Sequence, residues 1–179
     1  MKDTPNTASF IGYEYKSLTV NRRMESVYAD GYQNFGWKLE DVSAPLTAGG
    51  ALSMKFKRDR KIRNKAELTR LQRQFEACAD EIVELERSKT VAASIAAYII
   101  GLIGTAFMAG SVFAVTAEPP RAALCAILAV PGFIGWILPY FCYRAIRRRK
   151  TNRLSPLIEK KYDELYDVCE KANGLLGGE

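Results

Sequence analysis

Two stretches of this chain carry no charged side chain, Val91 to Ala117 and Ala122 to Tyr143, while charges recur every few residues elsewhere. A water-facing surface needs charges at such intervals, so runs of this length do not suit a globular exterior. A helix rises about 1.5 Å per residue and a bilayer's hydrocarbon core is about 30 Å thick. Each stretch is therefore long enough to cross as a helix. Between them stand only Glu118, Pro119, Pro120 and Arg121. Consecutive prolines end a helix, and so short a connection makes the two helices antiparallel neighbours. The pattern predicts a two-helix transmembrane hairpin over residues 91–117 and 122–143, joined by a short external loop at 118–121.

Small residues recur every fourth position of the first span, at Ala93, Ala97, Gly101, Thr105 and Ala109, with Gly104 and Gly110 nearby. Such a stripe lets backbones approach closely in lipid. The expected use is packing against the second span, and a homo-oligomer contact is the alternative. The second span contains Pro131, Gly132, Gly135 and Pro139, which predict kinks or local 3₁₀ geometry. Neither span holds an Asp, Glu, Lys or Arg. That weighs against a coupled ion or proton transporter. Trp136, Tyr140 and Tyr143 approach the end of the second span, where the tyrosines suit an interfacial anchor.

The flanks of the spans are also periodic. Leu68, Leu71, Phe75, Cys78, Ile82 and Leu85 alternate at spacings of three and four, a heptad seam on a helix predicted over 64–90. Asn64 with Glu67 resembles a capping box at its start. Neither glycine nor proline interrupts the chain from there to Gly101, so one helix should run from this flank into the first span. Beyond the second span, Ser155-Pro156 reads as the N-cap and first position of a helix over 154–176. Leu165, Val168, Ala172 and Leu175 form its apolar stripe, with Gly174 or Gly177 as terminator. These stripes can pair as an antiparallel stalk within one chain or between two chains.

Upstream, residues 1–9 read as a disordered tail and 10–62 as a small domain. Residues from Gly12, in "GYEYKSLTV", suit a strand with a bulge near Ser17. Met24, Val27, Tyr28, Gly31 and Phe35 follow helical spacing, closed by Gly36. Trp37, Leu39 and Val42 suggest a second strand with imperfect alternation, followed by a turn region at Pro45 and Gly49-Gly50. Leu52, Met54 and Phe56 alternate cleanly with Ser53, Lys55 and Lys57 as a third. The order is βαββ. The fold class is therefore an α+β membrane protein, a two-helix hairpin with a helical stalk and a small N-terminal βαββ domain.

Charge fixes the expected orientation. The formal net charge of the 179 residues is +6. Arg144, Arg147, Arg148, Arg149, Lys150 and Arg153 follow the second span, Arg87 and Lys89 precede the first, and the loop offers Arg121 alone. Lysine and arginine concentrate on the cytoplasmic side, so both termini are expected there, in the inner (plasma) membrane. The segment 144–153 is expected to contact anionic lipid, and nucleic acid is the less favoured partner. A second basic run, Lys55 to Lys65, reads as a solvated strand edge that discourages aggregation.

The "YEY" strand, the helix, "FGWKLEDV" and the closing "KFKRD" together resemble a family of short bacterial domains of unknown function. The resemblance covers residues 12–59. It implies a compact βαββ unit and brings no catalytic residues with it.

Little else offers chemistry. There is no histidine, no Gly-rich phosphate loop and no close pair among the four cysteines Cys78, Cys125, Cys142 and Cys169. A Cys/His zinc site and a disulfide framework are both disfavoured. Glu14, Glu25, Asp30, Glu40 and Asp41 read as solvated acids. No cofactor, metal or enzymatic activity is expected. The leading expectation is a membrane-anchored interaction or scaffold protein with an unknown cytoplasmic protein partner. An oligomeric pore or accessory transport subunit is the alternative.

Overall fold

The computed structural model describes residues 12–44, 50–117 and 121–177. The expected tail, the prolines of the loop and most of the turn at 45–49 lie outside the described residues. The elements are β1 (Tyr13–Asn21), a 3₁₀ turn (Arg22–Met24), α1 (Glu25–Gln33), β2 (Lys38–Ser43), β3 (Ala51–Asp59), α2 (Lys65–Thr116) and α3 (Ala122–Gly177). The class is α+β. The chain divides into two compact units: one up to Val83 together with the segment from Lys161 onward, the other Glu84–Lys160.

In the first unit the strands form an antiparallel sheet in the order β1-β3-β2. β3 is thus central, not the charged edge expected from its lysines. Its alternation sends Leu52, Met54, Phe56 and Arg58 to the covered face. β1 pairs with β3 in unbroken register, Ser17 opposite Lys55, so no bulge sits there. The irregularity falls instead between Leu39 and Asp41 of β2, where one extra residue explains the broken alternation of that strand.

α1 ends where Gly36 takes a φ of 79°. The Trp37 N–H donates to the Tyr32 carbonyl and the Gly36 N–H to that of Gln33, both typical of a Schellman closure. Against the sheet lie Tyr28, Tyr32 and Phe35 from the α1 region and the buried seam Leu68, Leu71, Phe75, Cys78 and Ile82 of α2. Phe75 meets Tyr28, Tyr32 and Phe35 edge-on at centroid distances of 5.5 to 5.9 Å. The seam therefore enters the βαββ core instead of forming a stalk apart from it. A three-stranded sheet and a nine-residue helix expose too much apolar face to close alone.

The end of α3 completes this unit, burying Leu165, Val168, Cys169 and Ala172. Lys161 bridges to Glu81 at 2.8 Å, and Leu176 lies 3.7 Å from where a Cβ on Gly36 would stand. The segment thus runs antiparallel to the start of α2, within the same chain.

α2 starts at Lys65 as the pattern required but without the expected capping box, and the start expected at Ser155-Pro156 is absent. Asn64 has φ 53°, not the extended backbone of an N-cap, and the Glu67 carboxylate accepts three hydrogen bonds from Arg70 instead of reaching back. Ser155-Pro156 begins nothing, because α3 runs through Pro131, Pro139 and Pro156 without a break. Proline's φ suits a helix, and each costs one backbone hydrogen bond and a local bend. The basic segment 144–153 is therefore helical, and no 3₁₀ turn interrupts the second apolar stretch.

α2 and α3 are long and apolar enough to cross a membrane. Within their most apolar windows only 11% and 6% of residues are buried.

Candidate functional site

The first unit carries a polar centre beside its aromatic core. Glu76 accepts from Lys16 Nζ and Tyr32 Oη at 2.5 Å and from Gln72 Nε2 at 2.7 Å. Gln72 in turn accepts from the Trp37 indole N–H at 2.9 Å. Burial alone would raise the Glu76 carboxyl, but the hydrogen bonds from Lys16, Tyr32 and Gln72 prevail and hold it below the usual carboxylate range. Tyr32 is pushed well above a normal phenol by its own burial and by donating to Glu76. All three bonds converge on Oε1, so the ionised Glu76 ties Lys16, Tyr32 and Gln72 to one point. The cluster orients α2 on the sheet.

A second cluster holds Arg58, which is only 4% exposed. Its guanidinium pairs with Glu14, donates to the Phe35 carbonyl at 3.2 Å and lies 4.3 Å from the Trp37 ring centroid. Glu14 also accepts from Lys65. Burial works against the Glu14 charge, while Lys65 and Arg58 together pull its carboxyl below the usual range. Strand alternation thus splits the basic run. Arg58 turns inward, while Lys57 turns outward and pairs with Glu40 at 2.6 Å. The inward parity of 52, 54, 56 and 58 was the signal that Arg58 is structural. Among the described residues nothing covers the opposite face of the sheet at Tyr13 and Tyr15, which are 47% and 67% exposed, with Lys57 5.8 Å from the Tyr13 ring centroid.

In the second unit α2 and α3 meet backbone to backbone. A Cβ on Gly135 would stand 2.5 Å from the Gly104 Cα, and one on Gly104 would stand 2.8 Å from the Gly135 carbonyl carbon. Met108 packs on Gly132, and Ser111 Oγ lies 3.1 Å from both the carbonyl oxygen and Sγ of Cys125. The expected small-residue stripe divides. Ala93 is buried, Ala97 and Gly101 are half-buried, and Thr105 and Ala109 are exposed. A strict four-residue step turns about 40° further round the helix each time, so the stripe walks off the contact face. The seam instead mixes steps of four and three through Ala93, Ala97, Ile100, Gly104, Met108 and Ser111. Ile100 and Met108 belong to it although neither is small.

The stripe's middle lines a groove of about 580 Å³, with Ala97, Gly101 and Thr105 on α2 facing Trp136, Pro139 and Tyr143 on α3. No charged residue lines it. Tyr143 also lines a second concavity of about 540 Å³, with Arg144, Arg147, Arg148, Thr151 and Asn152. Of the six basic residues expected to touch lipid, three therefore share one hollow. Arg149 and Arg153 are exposed and Lys150 is half-buried outside it.

Among the described residues no group of acidic, cysteine or histidine side chains is arranged to hold a metal ion. The described cysteines are free, Cys78 and Cys169 being buried. No family model matches the chain, and neither a curated protein nor a solved structure matches it. The likeness of residues 12–59 to short bacterial domains accordingly rests on the motifs alone.

Proposed function

We propose that the protein is a non-enzymatic membrane-anchored interaction protein. α2 and α3 cross the inner membrane as a hairpin, and the α+β unit is held on the cytoplasmic side to meet a protein partner. Support for the anchor comes from the large apolar side chains left outside any protein core, Tyr98, Leu102, Phe113 and Ile127 among them. Water would penalise that surface heavily, and lipid would not. The basic flanks favour the cytoplasmic orientation.

One observation carries the interaction role: the outer sheet face presents two exposed tyrosines beside Lys55 and Lys57, with the open strand β2 at its edge. Exposed aromatic rings among mixed charges, with Lys57 paired to Glu40 and Asp59 opposite Tyr13, suit a partner with an apolar contact and a polar rim. A single chain offers no bore between its spans, because Gly104 and Gly135 touch there. The pore alternative would need several copies.

Cross-linking in native membranes, read by mass spectrometry, tests the proposal with the full chain and with Tyr13→Ser/Tyr15→Ser. Loss of specific cross-links in the variant, with the protein still membrane-bound, is the expected result. An unchanged cross-link pattern would refute the sheet face as the contact. Removing residues 1–62 would be a poor test, since it strips the cover from Phe75 and the rest of the α2 seam.

A further inference from the structure

We infer that the unit Glu84–Lys160 holds one anionic phospholipid, an acyl chain in the groove between α2 and α3 and its phosphate on Arg144, Arg147 and Arg148. This deepens the proposed function and rests on its membrane hairpin. The two hollows share Tyr143 in their linings, so they adjoin along α3. Their chemistry changes at that wall. The groove is lined without charge, and the Thr105 hydroxyl in it is already spent on the Gly101 carbonyl at 3.0 Å. The other hollow is lined by three arginines and no carboxylate. An apolar tail joined to an anionic head fits this order, and a tyrosine suits the junction because its ring is apolar and its tip polar.

Dimensions agree. Ser94 to Thr105, the limits of the groove on α2, span about 16 Å of helix, close to one leaflet of a hydrocarbon core about 30 Å thick. The headgroup hollow lies at the end of the span, where a phosphate belongs. Arg144, Arg147 and Arg148 are spaced three and four apart, so they share a helix face. Their planar guanidinium forks match phosphate oxygens in a way that lysine does not. Thr151 and Asn152 add hydroxyl and amide groups for a headgroup or ester. A diffuse basic surface would use all six cations alike. The structure separates Arg144, Arg147 and Arg148 from Arg149, Lys150 and Arg153.

Native mass spectrometry of the full chain in mild detergent, titrated with palmitoyl-oleoyl phosphatidylglycerol or phosphatidylcholine, tests this. One phosphatidylglycerol per chain should be retained roughly tenfold or more in preference to phosphatidylcholine, as expected for several cations acting together. Arg144→Gln/Arg147→Gln/Arg148→Gln should abolish the preference, while Arg149→Gln/Lys150→Gln/Arg153→Gln should keep it. Thr105→Phe should weaken retention of the long-chain lipid and leave dihexanoyl phosphatidylglycerol unaffected. Ser94→Leu supplies the same test at the groove mouth. Equal loss in the two arginine-set variants, no preference between lipids, or a lipid-free dimer that Thr105→Phe dissociates would each overturn the inference. A chain that stays dissolved without detergent would instead sink the membrane hairpin itself, a distinct outcome.

Discussion

Gly31→Ala is expected to destabilise the first unit, although the same change in an ordinary helix stabilises. Gly31 is buried on α1, and a Cβ there would stand 2.5 Å from both Cε2 and Cζ of Phe75. Carbon atoms rest at about 3.5–4.0 Å, so the ring or the helix must yield by about 1 Å. Phe75 is fully buried and wedged among Tyr28, Tyr32 and Phe35, which leaves the ring no free direction. Overpacking of this kind costs about 1–3 kcal/mol. Alanine for glycine inside a helix returns about 1 kcal/mol. The net is a loss of about 1 kcal/mol, which is about fivefold in an opening equilibrium.

Cys78 and Cys169 make the assay intrinsic. Both are buried in this unit, and burial pushes the Cys169 thiol up to about 11, against a hydrogen bond from Asn34. Burial likewise raises Cys78, with Lys161 opposing. Each can be alkylated only when the unit opens. Labelling of the full chain in micelles, resolved by peptide mass spectrometry, should run about fivefold faster at both cysteines in Gly31→Ala. In a Phe75→Leu background the ring is gone, and adding Gly31→Ala should then be neutral or protective. The cycle isolates the contact from helix propensity. Slower labelling in the single variant would show propensity winning and the contact to be slack, and equal effects in both backgrounds would show that Phe75 is not what Gly31 avoids.

Arg58→Met should speed the same labelling by about thirtyfold, or about 2 kcal/mol, because the part-buried Glu14 and the Phe35 carbonyl lose a hydrogen-bond partner; an unchanged rate would refute the buried pair. Glu14 and Glu76 both have folded-state values below the ordinary 4.5, so their stabilisation is complete above that pH and is lost as pH falls through the lowered values. Guanidine midpoints followed by Trp37 fluorescence in a Trp136→Phe background should therefore drop below about pH 4.5, and drop less in Glu14→Gln/Glu76→Gln; a flat profile to pH 3 in the wild-type core would contradict this. Gly135→Val should lower the dodecyl sulfate midpoint of the hairpin, at a cost of about 1–3 kcal/mol, since its Cβ meets Gly104 backbone that cannot turn aside. Gly110→Val is the control, with only ordinary contact to Leu128 at 3.6 Å, and equal effects at both positions would refute a specific seam.

The elements were legible wherever one periodicity ruled. The α2 seam from Leu68 to Ile82, the clean alternation of Leu52, Met54 and Phe56, and the terminal glycine of α1 all stand as the pattern required. What stayed hidden needed the third dimension. Strand order cannot be read from alternation, so Lys55 and Lys57 suggested an edge when β3 is the centre. Gln72 and Glu76 flank the apolar seam one turn apart and carry no sequence signal of their role, yet Trp37, Tyr32 and Lys16 converge on them from three other elements or loops. The start signal at Ser155-Pro156 was overridden, because the residues from Lys161 onward gain more by continuing one helix onto the α2 seam than one lost backbone bond costs.

The second apolar helix shows why separate sequence signals can be one device. Gly135 and Pro139 each suggested a bend when taken alone. They are four residues apart, so Pro139 is the residue whose missing N–H would have bonded the Gly135 carbonyl. That carbonyl oxygen lies 3.1 Å from where a Gly104 Cβ would stand, against the Gly104 backbone of the facing helix. In the hydrocarbon that the proposed topology provides, no water can take up the freed acceptor. The direction that a Gly104 Cβ would take is occupied by a Cα–H, a weak donor that reaches this space only because neither glycine carries a side chain. The proline loosens a carbonyl, and the two glycines let the opposite backbone come close enough to occupy the space. A seam built this way depends on both helices at one level, which is why the close contact falls at Gly104 and not at the more regular stripe of Thr105 and Ala109 beside it.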